Sequence, residues 1–448
     1  MITFGRYRLS FSKALTFGFL IVIAIGTLLL MLPIAVKPGE NSSFMTAFFT
    51  ATSATCVTGL TLVDTATHWS LFGQLVITAL IEIGGLGFMT FAIMMFLFAR
   101  QKIRLSARLL AQESLNLQSP AQITIVNLIV GLSLIIQVLG ALLLWPDFGR
   151  RFGLVKGLWY SIFHSISAFC NAGFDLFGNS LALFADDTYV LFIMAVLIIA
   201  GSFGFLVWRD LLLYRKKHRL SLHTSLALST GVIILILLSL MSYLLTEDNL
   251  AAQFPHMSVE HRFINTIFMA ITPRTAGLTT FSYQNLSPAG IAVTVILMFI
   301  GGTPGSTAGG IKTTTVGLLT LQSIATLKGQ RDTVFGRRRF KEENIFRALT
   351  LVFVAFAILA AAILLLCLTQ HLPANFTLED IIFEVMAAFG TTGISMGVTS
   401  HLNLFGKLII MALMFIGRVG IYTVMFTVLN AHPKQKNYRY PEEGVLIG

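Results

Sequence analysis

Four times along the chain, hydropathy follows one order: a long apolar run, a short amphipathic stretch, a polar turn containing glycine, and another long apolar run. The first set falls at 15–37, 43–55, 57–60 and 71–98, the second at 121–145, 156–170, 171–174 and 188–214. The third falls at 222–246, 260–273, 275–278 and 287–325, and the fourth at 345–369, 378–390, 391–394 and 404–430. Runs such as Ala227–Leu245 and Leu351–Leu368 approach the ~20 residues that cross a bilayer as helix. The stretches before the turns, such as Met45–Thr55 and Leu378–Phe389, stop at about 10–15 residues, which suits re-entrant helices that enter the bilayer and end partway. The pattern therefore predicts an all-α integral membrane protein with eight spans and four re-entrant segments. The expected units are 1–110, 111–219, 220–340 and 341–448. A repeat of this length is typical of transporters and channels and too long for a solenoid.

The turns themselves are alike. Cys56-Val57-Thr58-Gly59-Leu60, Cys170-Asn171-Ala172-Gly173-Phe174, Arg274-Thr275-Ala276-Gly277-Leu278 and Gly390-Thr391-Thr392-Gly393-Ile394 share a Thr/Ala-Gly-apolar core, with successive glycines 114, 104 and 116 residues apart. A single copy reads as a helix C-cap or packing glycine; four at the same unit position read as one site built by four units. Glycine permits conformations closed to other residues, so neighbouring carbonyls can face a common axis and replace a cation's hydration shell. Unpaired backbone at that depth is tolerated only where it is buried in protein or lines water. None of the four cores contains Asp or Glu, which points to a weakly held monovalent ion rather than a divalent cage. A second small-residue repeat lies in the closing runs, at Gly84-Gly85, Gly201, Gly301-Gly302 and Gly417, and predicts close helix approach there.

Composition agrees with the membrane reading: 55% apolar and 11% charged residues, mean hydropathy +0.81, against roughly 25% charged in soluble domains. Phe19–Val36 lacks a small-residue cleavage site and reads as a span rather than a removable leader. The +11 net charge is distributed as topology rather than as a nucleic-acid surface. Basic clusters at Arg6/Arg8/Lys13, Arg100/Lys102/Arg104/Arg108, Arg209/Arg215/Lys216/Lys217/Arg219, Arg331/Arg337/Arg338/Arg339/Lys341 and Lys434/Lys436/Arg439 all fall on one side, expected to be cytoplasmic with both termini. The opposite loops carry Glu40, Asp64, Asp186, Asp187, Glu247, Asp248, Glu379 and Asp380, read either as an acidic mouth that gathers cations or as solvated loops. Three cysteines, Cys56, Cys170 and Cys367, are too few for a disulfide framework or metal cage and read as packing residues. Asn41-Ser42-Ser43 and Asn375-Phe376-Thr377 match a glycosylation sequon too common to carry an argument.

Two further features stand out. Gly301-Gly302-Thr303-Pro304-Gly305-Ser306-Thr307-Ala308-Gly309-Gly310-Ile311-Lys312 interrupts the last helix of the third unit, where Pro and Gly favour unwinding in mid-membrane. It is not a phosphate loop: an extra residue separates glycine from lysine and no strand–loop–helix surrounds it. Arg418 lies in mid-span, where a cation faces a cavity or a partner, unless it snorkels or bonds backbone carbonyls structurally. Glu82 and Asp210, also in or near spans, are expected to pair with basic residues.

Across all four units these residues resemble the Trk/Ktr/HKT superfamily of potassium transporters, in particular its KtrB-type membrane subunits. The resemblance rests on Thr58-Gly59-Leu60, Asn171-Ala172-Gly173-Phe174, Thr272-Pro273-Arg274-Thr275-Ala276-Gly277, Phe389-Gly390-Thr391-Thr392-Gly393 and Arg439-Tyr440-Pro441-Glu442. It implies four M1-P-M2 repeats around one pore. The potassium filter would comprise Val57, Thr58, Gly59, Asn171, Ala172, Gly173, Thr275, Ala276, Gly277, Thr391, Thr392 and Gly393. Glycine at all four positions resembles the potassium-selective type, whereas sodium-selective relatives often have serine in the first. The start at unit one, without the additional helix pair of TrkH, favours the KtrB type. The resemblance further implies that residues 301–310 form an intramembrane gating loop, with Lys312 and Arg418 as its charged partners. It adds a homodimer, sodium as activator, and a cytoplasmic ring of KtrA-type subunits that bind ATP or ADP, with no cofactor on this chain. A sodium-selective or proton-coupled transporter on the same scaffold is the alternative. His-Glu-x-x-His, Gly-x-Ser-x-Gly and paired intramembrane carboxylates are absent, which argues against an intramembrane enzyme; a purely structural subunit would move no cation.

Overall fold

A computed structural model describes residues 2–4, 7–9, 11–87, 123–370, 372–373 and 376–429. Unit one comprises α1 (Phe11–Leu30), the short α2 (Phe44–Thr55) and α3 (Leu71–Leu86). Unit two comprises α4 (Ile123–Phe152), α5 (Leu154–Cys170), α6 (Thr188–Ser202) and α7 (Phe205–Lys217). Unit three comprises α8 (Leu222–Gln253), α9 (Val259–Ile271), α10 (Pro288–Phe299) and α11 (Thr313–Leu327), followed by a small hairpin pairing Val334–Phe335 with Arg338–Arg339. Unit four comprises α12 (Glu342–Thr369), α13 (Leu378–Phe389), α14 (Leu404–Val419) and α15 (Ile421–Leu429). The cluster Arg100–Arg108, residues 88–98 of the first closing run, Arg6, Asn375 and the motif Arg439–Glu442 with Lys434 and Lys436 lie outside the described residues. So do the side chains of Arg8, Arg215–Lys217 and Glu247.

α2 and α13 have 12 residues each and α9 has 13, so at 1.5 Å per residue they are roughly 18–20 Å long, short of a ~30 Å hydrocarbon core. Their starts are set by side-chain caps. Ser43 accepts from Thr46 N and Ser258 from His261 N, while Thr377 and Asp380 form a reciprocal capping box. The longest apolar helices present a lipid-facing surface: Phe353 on α12 is 75% exposed and Leu28 on α1 66%, with no water-soluble reason for either.

The closing helix of each unit packs on the re-entrant helix of the next: α3 on α5, α6 on α9, α10 on α13, and α14 back on α2. The chain thus closes a ring of four units. Within a unit, glycine lets the closing helix meet the end of its own short helix. A Cβ at Gly84 would strike Thr55 O, one at Gly201 would strike Phe169 O, and one at Gly417 would strike Phe389 O, each the carbonyl at the end of a re-entrant helix.

The closing runs differ from expectation in one respect. Only the third was expected to break, yet α6 and α7 are bent by 97° and α14 and α15 by 105°. Each break falls at the second glycine of a Gly-x-x-Gly pair: Gly201/Gly204 and Gly417/Gly420, with α3 likewise ending at Gly87. Gly87 and Gly420 adopt φ of +84° and +95°, which terminates the helix, while the first glycine of the pair holds the helix against its neighbour.

Candidate functional site

All four glycine turns meet at the centre of the ring. A Cβ at Gly59 would lie 2.6 Å from Ala172 O, one at Gly173 would lie 3.2 Å from Ala276 O, one at Gly277 would strike Thr392 O, and one at Gly393 would strike Thr58 O. Each glycine therefore faces the carbonyl that precedes the next glycine, in the cyclic order one, two, three, four, one. The residue two before each glycine is also left-handed: Val57 at φ +56°, Asn171 at +58°, Thr275 at +79° and Thr391 at +50°, beside Gly59 at +92°, Gly173 at +70°, Gly277 at +76° and Gly393 at +80°. For β-branched Val57, Thr275 and Thr391 this is a sterically costly state, repeated three times at one unit position. Alternating the sign of φ at every second residue turns successive carbonyls the same way instead of to opposite sides. The helix ends feed this geometry directly: Thr58 N, Ala172 N and Thr392 N donate to Ser53 O, Ser167 O and Ala387 O, each at 2.8 Å. The side-chain oxygens of Thr58, Thr275 and Thr391 are buried without a protein partner.

Behind the turns lie two residues that sequence reasoning missed. Glu384 sits nine positions before Gly393 and accepts from Ser395 Oγ at 2.8 Å, Met396 N at 3.2 Å, Thr399 N at 3.1 Å and Thr399 Oγ1. His164 sits nine positions before Gly173, and its Nε2 accepts from Leu176 N at 3.2 Å. Both tie the segment after a turn back to the re-entrant helix before it. The only signal for either was a polar residue on the apolar side of an amphipathic short helix.

Below the turns runs the loop of unit three, between α10 and α11. Its base is stapled by Gly301 N to Ile311 O at 2.8 Å and Thr313 N to Gly302 O at 3.1 Å. The break between α6 and α7 holds one flank, through Thr303 N to Ser202 O at 3.1 Å, Thr307 N to Gly201 O at 3.2 Å and Phe205 N to Gly305 O at 2.9 Å. Asn171, in the unit-two turn, donates from Nδ2 to Thr307 Oγ1 at 2.8 Å, and a Cβ at Gly309 would strike the Thr391 side chain of unit four. Lys312 donates from Nζ to Ala308 O at 2.7 Å and Gly309 O at 3.2 Å, so it caps the loop's own carbonyls.

Arg418 ties the loop to unit one. Its Nε donates to Gly84 O at 3.1 Å, Nη2 to Gly85 O at 2.7 Å and also to Gly84 O, and Nη1 to Thr307 O. Gly84 and Gly85 belong to the last turn of α3, whose carbonyls have no helical partner, and a cation is favoured at that end of the dipole. A cavity of about 610 Å³ lies beneath, lined by Arg418, Lys312, Gly85, Gly305 and Ser306 among others.

Other expected pairings differ. Glu82 meets Gln137 Nε2 at 3.0 and 3.2 Å and Cys170 Sγ at 3.4 Å, with no basic partner among the described residues. Asp210 does pair with Arg209, at 3.1 Å, and accepts from Ser221 and Thr224. Several acids of the loops opposite the basic clusters have local duties: Asp64 accepts from Ala66 N and Thr67 N, Glu40 meets His68 at 3.1 Å, and Asp187 caps α6 and pairs with Arg151. Asp175, after the unit-two turn, is held above the ordinary carboxylate range by burial, against hydrogen bonds from Phe177 N and Gly178 N.

A closed ring of glycine turns inside a multi-pass helical membrane protein defines a membrane transport scaffold. The TrkH family, described as a cation transport protein, matches residues 11–440, and the chain belongs to that family, one of cation transporters and not of enzymes. It is 46% identical over 446 residues to the potassium/sodium uptake protein NtpJ of Enterococcus hirae, covering 99% of this chain and 98% of that one. It is 39% identical over 437 residues to the Ktr system potassium uptake protein B of Bacillus subtilis, covering 97% and 96%. In fold it is similar to the crystal structure of the potassium transporter TrkH from Vibrio parahaemolyticus, at TM-score 0.72 and 22% identity, over 93% of this chain and 85% of that one.

Proposed function

We propose that the chain takes up potassium across the cell membrane, through a filter formed by the four glycine turns and a gate formed by the loop of unit three. The ring carries this reading. Eight left-handed residues at matched positions, with three buried threonine hydroxyls left without protein partners, form a cradle of oxygens around one axis. Val57, Thr58 and Gly59, with Asn171–Gly173, Thr275–Gly277 and Thr391–Gly393, would supply carbonyls that replace the water of a dehydrated potassium ion. The loop, residues 301–310, would close the path below this ring, with Arg418 holding it and repelling cations, and with Lys312 keeping its carbonyls in place. Relatives named for potassium uptake support the substrate.

In the same reading the chain forms four M1-P-M2 repeats with eight spans and both termini cytoplasmic, at the unit boundaries given above. α3, the start of α8 and α10 would supply the shorter spans beside the three long helices and two bent pairs. Relatives named as parts of a Ktr system support a partner regulatory subunit; in this reading it is a cytoplasmic nucleotide-binding KtrA-type ring, and the chain is a homodimer stimulated by sodium. A second reading, transport of sodium as well as potassium, is favoured by the name of the Enterococcus hirae relative. Rubidium and sodium uptake in a potassium-uptake-deficient bacterium tests both. Rubidium uptake well above sodium supports the proposal, comparable rates support the second reading, and no uptake of either overturns both.

A further inference from the structure

A second cavity, of about 810 Å³, opens beside the loop and shares Pro304, Thr315 and Arg347 with the cavity under Arg418. Its lining is rich in basic groups: the guanidinium groups of Arg209, Arg338 and Arg347, with the imidazole of His223, face a single carboxylate, Asp210. That carboxylate is committed, since it pairs with Arg209 and accepts from Ser221 Oγ and Thr224 Oγ1 at 2.6 Å. Arg347 reaches Glu343 only on the exposed helix surface, where such a pair is weak. The Arg338 side chain has no ion pair or hydrogen bond among the described residues, its backbone being paired in the hairpin, and Arg209 Nε and His223 Nε2 are buried with no protein partner. Thr314 and Thr315, in the first turn of α11, add the positive end of a 15-residue helix to the same wall.

We infer that this cavity is an anion site for a phosphate-bearing group. The volume is that of a small-molecule pocket, and three guanidinium groups on separate elements suit phosphate oxygens better than a single carboxylate. Its walls come from α7, α8, the first turn of α11, the hairpin and α12, so an occupant touches the segment that leads directly out of the loop. A ligand shifts an equilibrium only through the state it prefers. This cavity exists with Pro304 in its wall while Arg418 holds Thr307, so occupancy favours the loop in that position and slows cation flow. The phosphate could belong to an anionic lipid headgroup or to a free anion on the cytoplasmic side, and the regulatory consequence is the same. The inference rests on the transport reading above.

The test uses the full chain in liposomes, with rubidium flux as readout. In neutral phosphatidylcholine vesicles the wild type should conduct, and flux should fall at least about threefold either when phosphatidylglycerol is included or when pyrophosphate is added on the side of the cavity. The first response assigns a lipid, the second a soluble anion. Arg338→Gln with Arg347→Gln should conduct normally in neutral vesicles and lose most of the inhibition. A wild type that conducts but responds to neither source, or a double variant that is inhibited as strongly as wild type, overturns the anion site. A wild type with no flux under any condition sinks the transport reading first.

Discussion

At the ring of turns, each unit contributes three residues ending in glycine, the first and third of them left-handed; at the loop below it, unit three supplies the chain and the other three units supply its anchors. The turns close on one another through glycine and carbonyl in strict rotation, so removing one alters a quarter of a symmetric site. The loop is asymmetric. It leans on the unit-two break along Gly201–Phe205, on Asn171 of the unit-two turn, and on an arginine of unit four that itself hangs from carbonyls of unit one. In the proposed reading, selectivity is a property of repetition and control a property of its violation. Arg418 and the loop belong to units four and three, yet every unit has a hand in the anchoring.

The largest effect is expected where the repetition is broken. Gly59→Ala places a Cβ 2.6 Å from Ala172 O and 2.8 Å from Gly173 Cα, at a φ of +92° that alanine resists by about 1–2 kcal/mol. Gly173→Ala meets its nearest atoms only at 3.2 Å. Rubidium uptake should therefore fall by about tenfold or more in Gly59→Ala and distinctly less in Gly173→Ala. Equal losses would show that the four turns tolerate a side chain alike, against the packing differences seen here.

Next comes the loop. Arg418→Gln removes charge-assisted hydrogen bonds to Gly84 O, Gly85 O and Thr307 O, each worth about 1.5–3 kcal/mol when made to a charged group. Flux in liposomes should rise by about tenfold while the rubidium-to-sodium ratio stays put. Unchanged flux in a well-folded variant would count against the gate. Asn171→Ala cuts the side-chain hydrogen bond from the unit-two turn to the loop, at Thr307 Oγ1, and should change both readouts: flux upward by about threefold, selectivity downward. An Asn171 variant that altered only one of them would separate the two regions more cleanly than the contacts suggest.

The turns were legible in sequence because chemistry was written four times, and the loop because Pro304 sits among five glycines within 301–310. The extra breaks at Phe203–Gly204 and Val419–Gly420 were not, because Phe and Val keep hydropathy high across them. The bend depends on which carbonyl the preceding glycine packs against. The partners of Arg418 were invisible for a similar reason: they are backbone oxygens, which every residue carries. Glu82 misled the expectation of an ion pair because a buried carboxyl can be satisfied by an amide and a thiol, here Gln137 and Cys170, neither of which advertises itself by charge.

Glu384 offers a test of the ring's scaffold rather than its surface. Its carboxylate accepts from Ser395, Met396 and Thr399 and ties the chain after the unit-four turn to α13. Glu384→Gln leaves the shape but turns an amide N–H donor toward groups that already donate, so rubidium uptake should drop by about threefold with a loss of selectivity, and thermal stability in detergent should fall. Units one and three carry Thr50 and Phe268 at the position nine before their glycines, and in unit three the tie is made differently, by Tyr283 Oη donating to Met269 O of α9 at 3.0 Å. Retained selectivity in this variant would mean that the turns hold their shape from the glycine contacts alone.

The smallest effect should come from the entry end of the same helix. Thr377→Ala removes one half of the capping box with Asp380, a local loss of about 1 kcal/mol. The cap lies at the far end of a 12-residue helix from Gly393, and the helix is held along its length by buried Phe383, Val385, Ala387 and Phe389. Thermal stability should fall slightly while rubidium uptake and the rubidium-to-sodium ratio remain at wild-type values. A loss of selectivity from so remote a change would mean that the turn is positioned by the helix as a rigid strut, rather than by the ring of neighbours that closes around it.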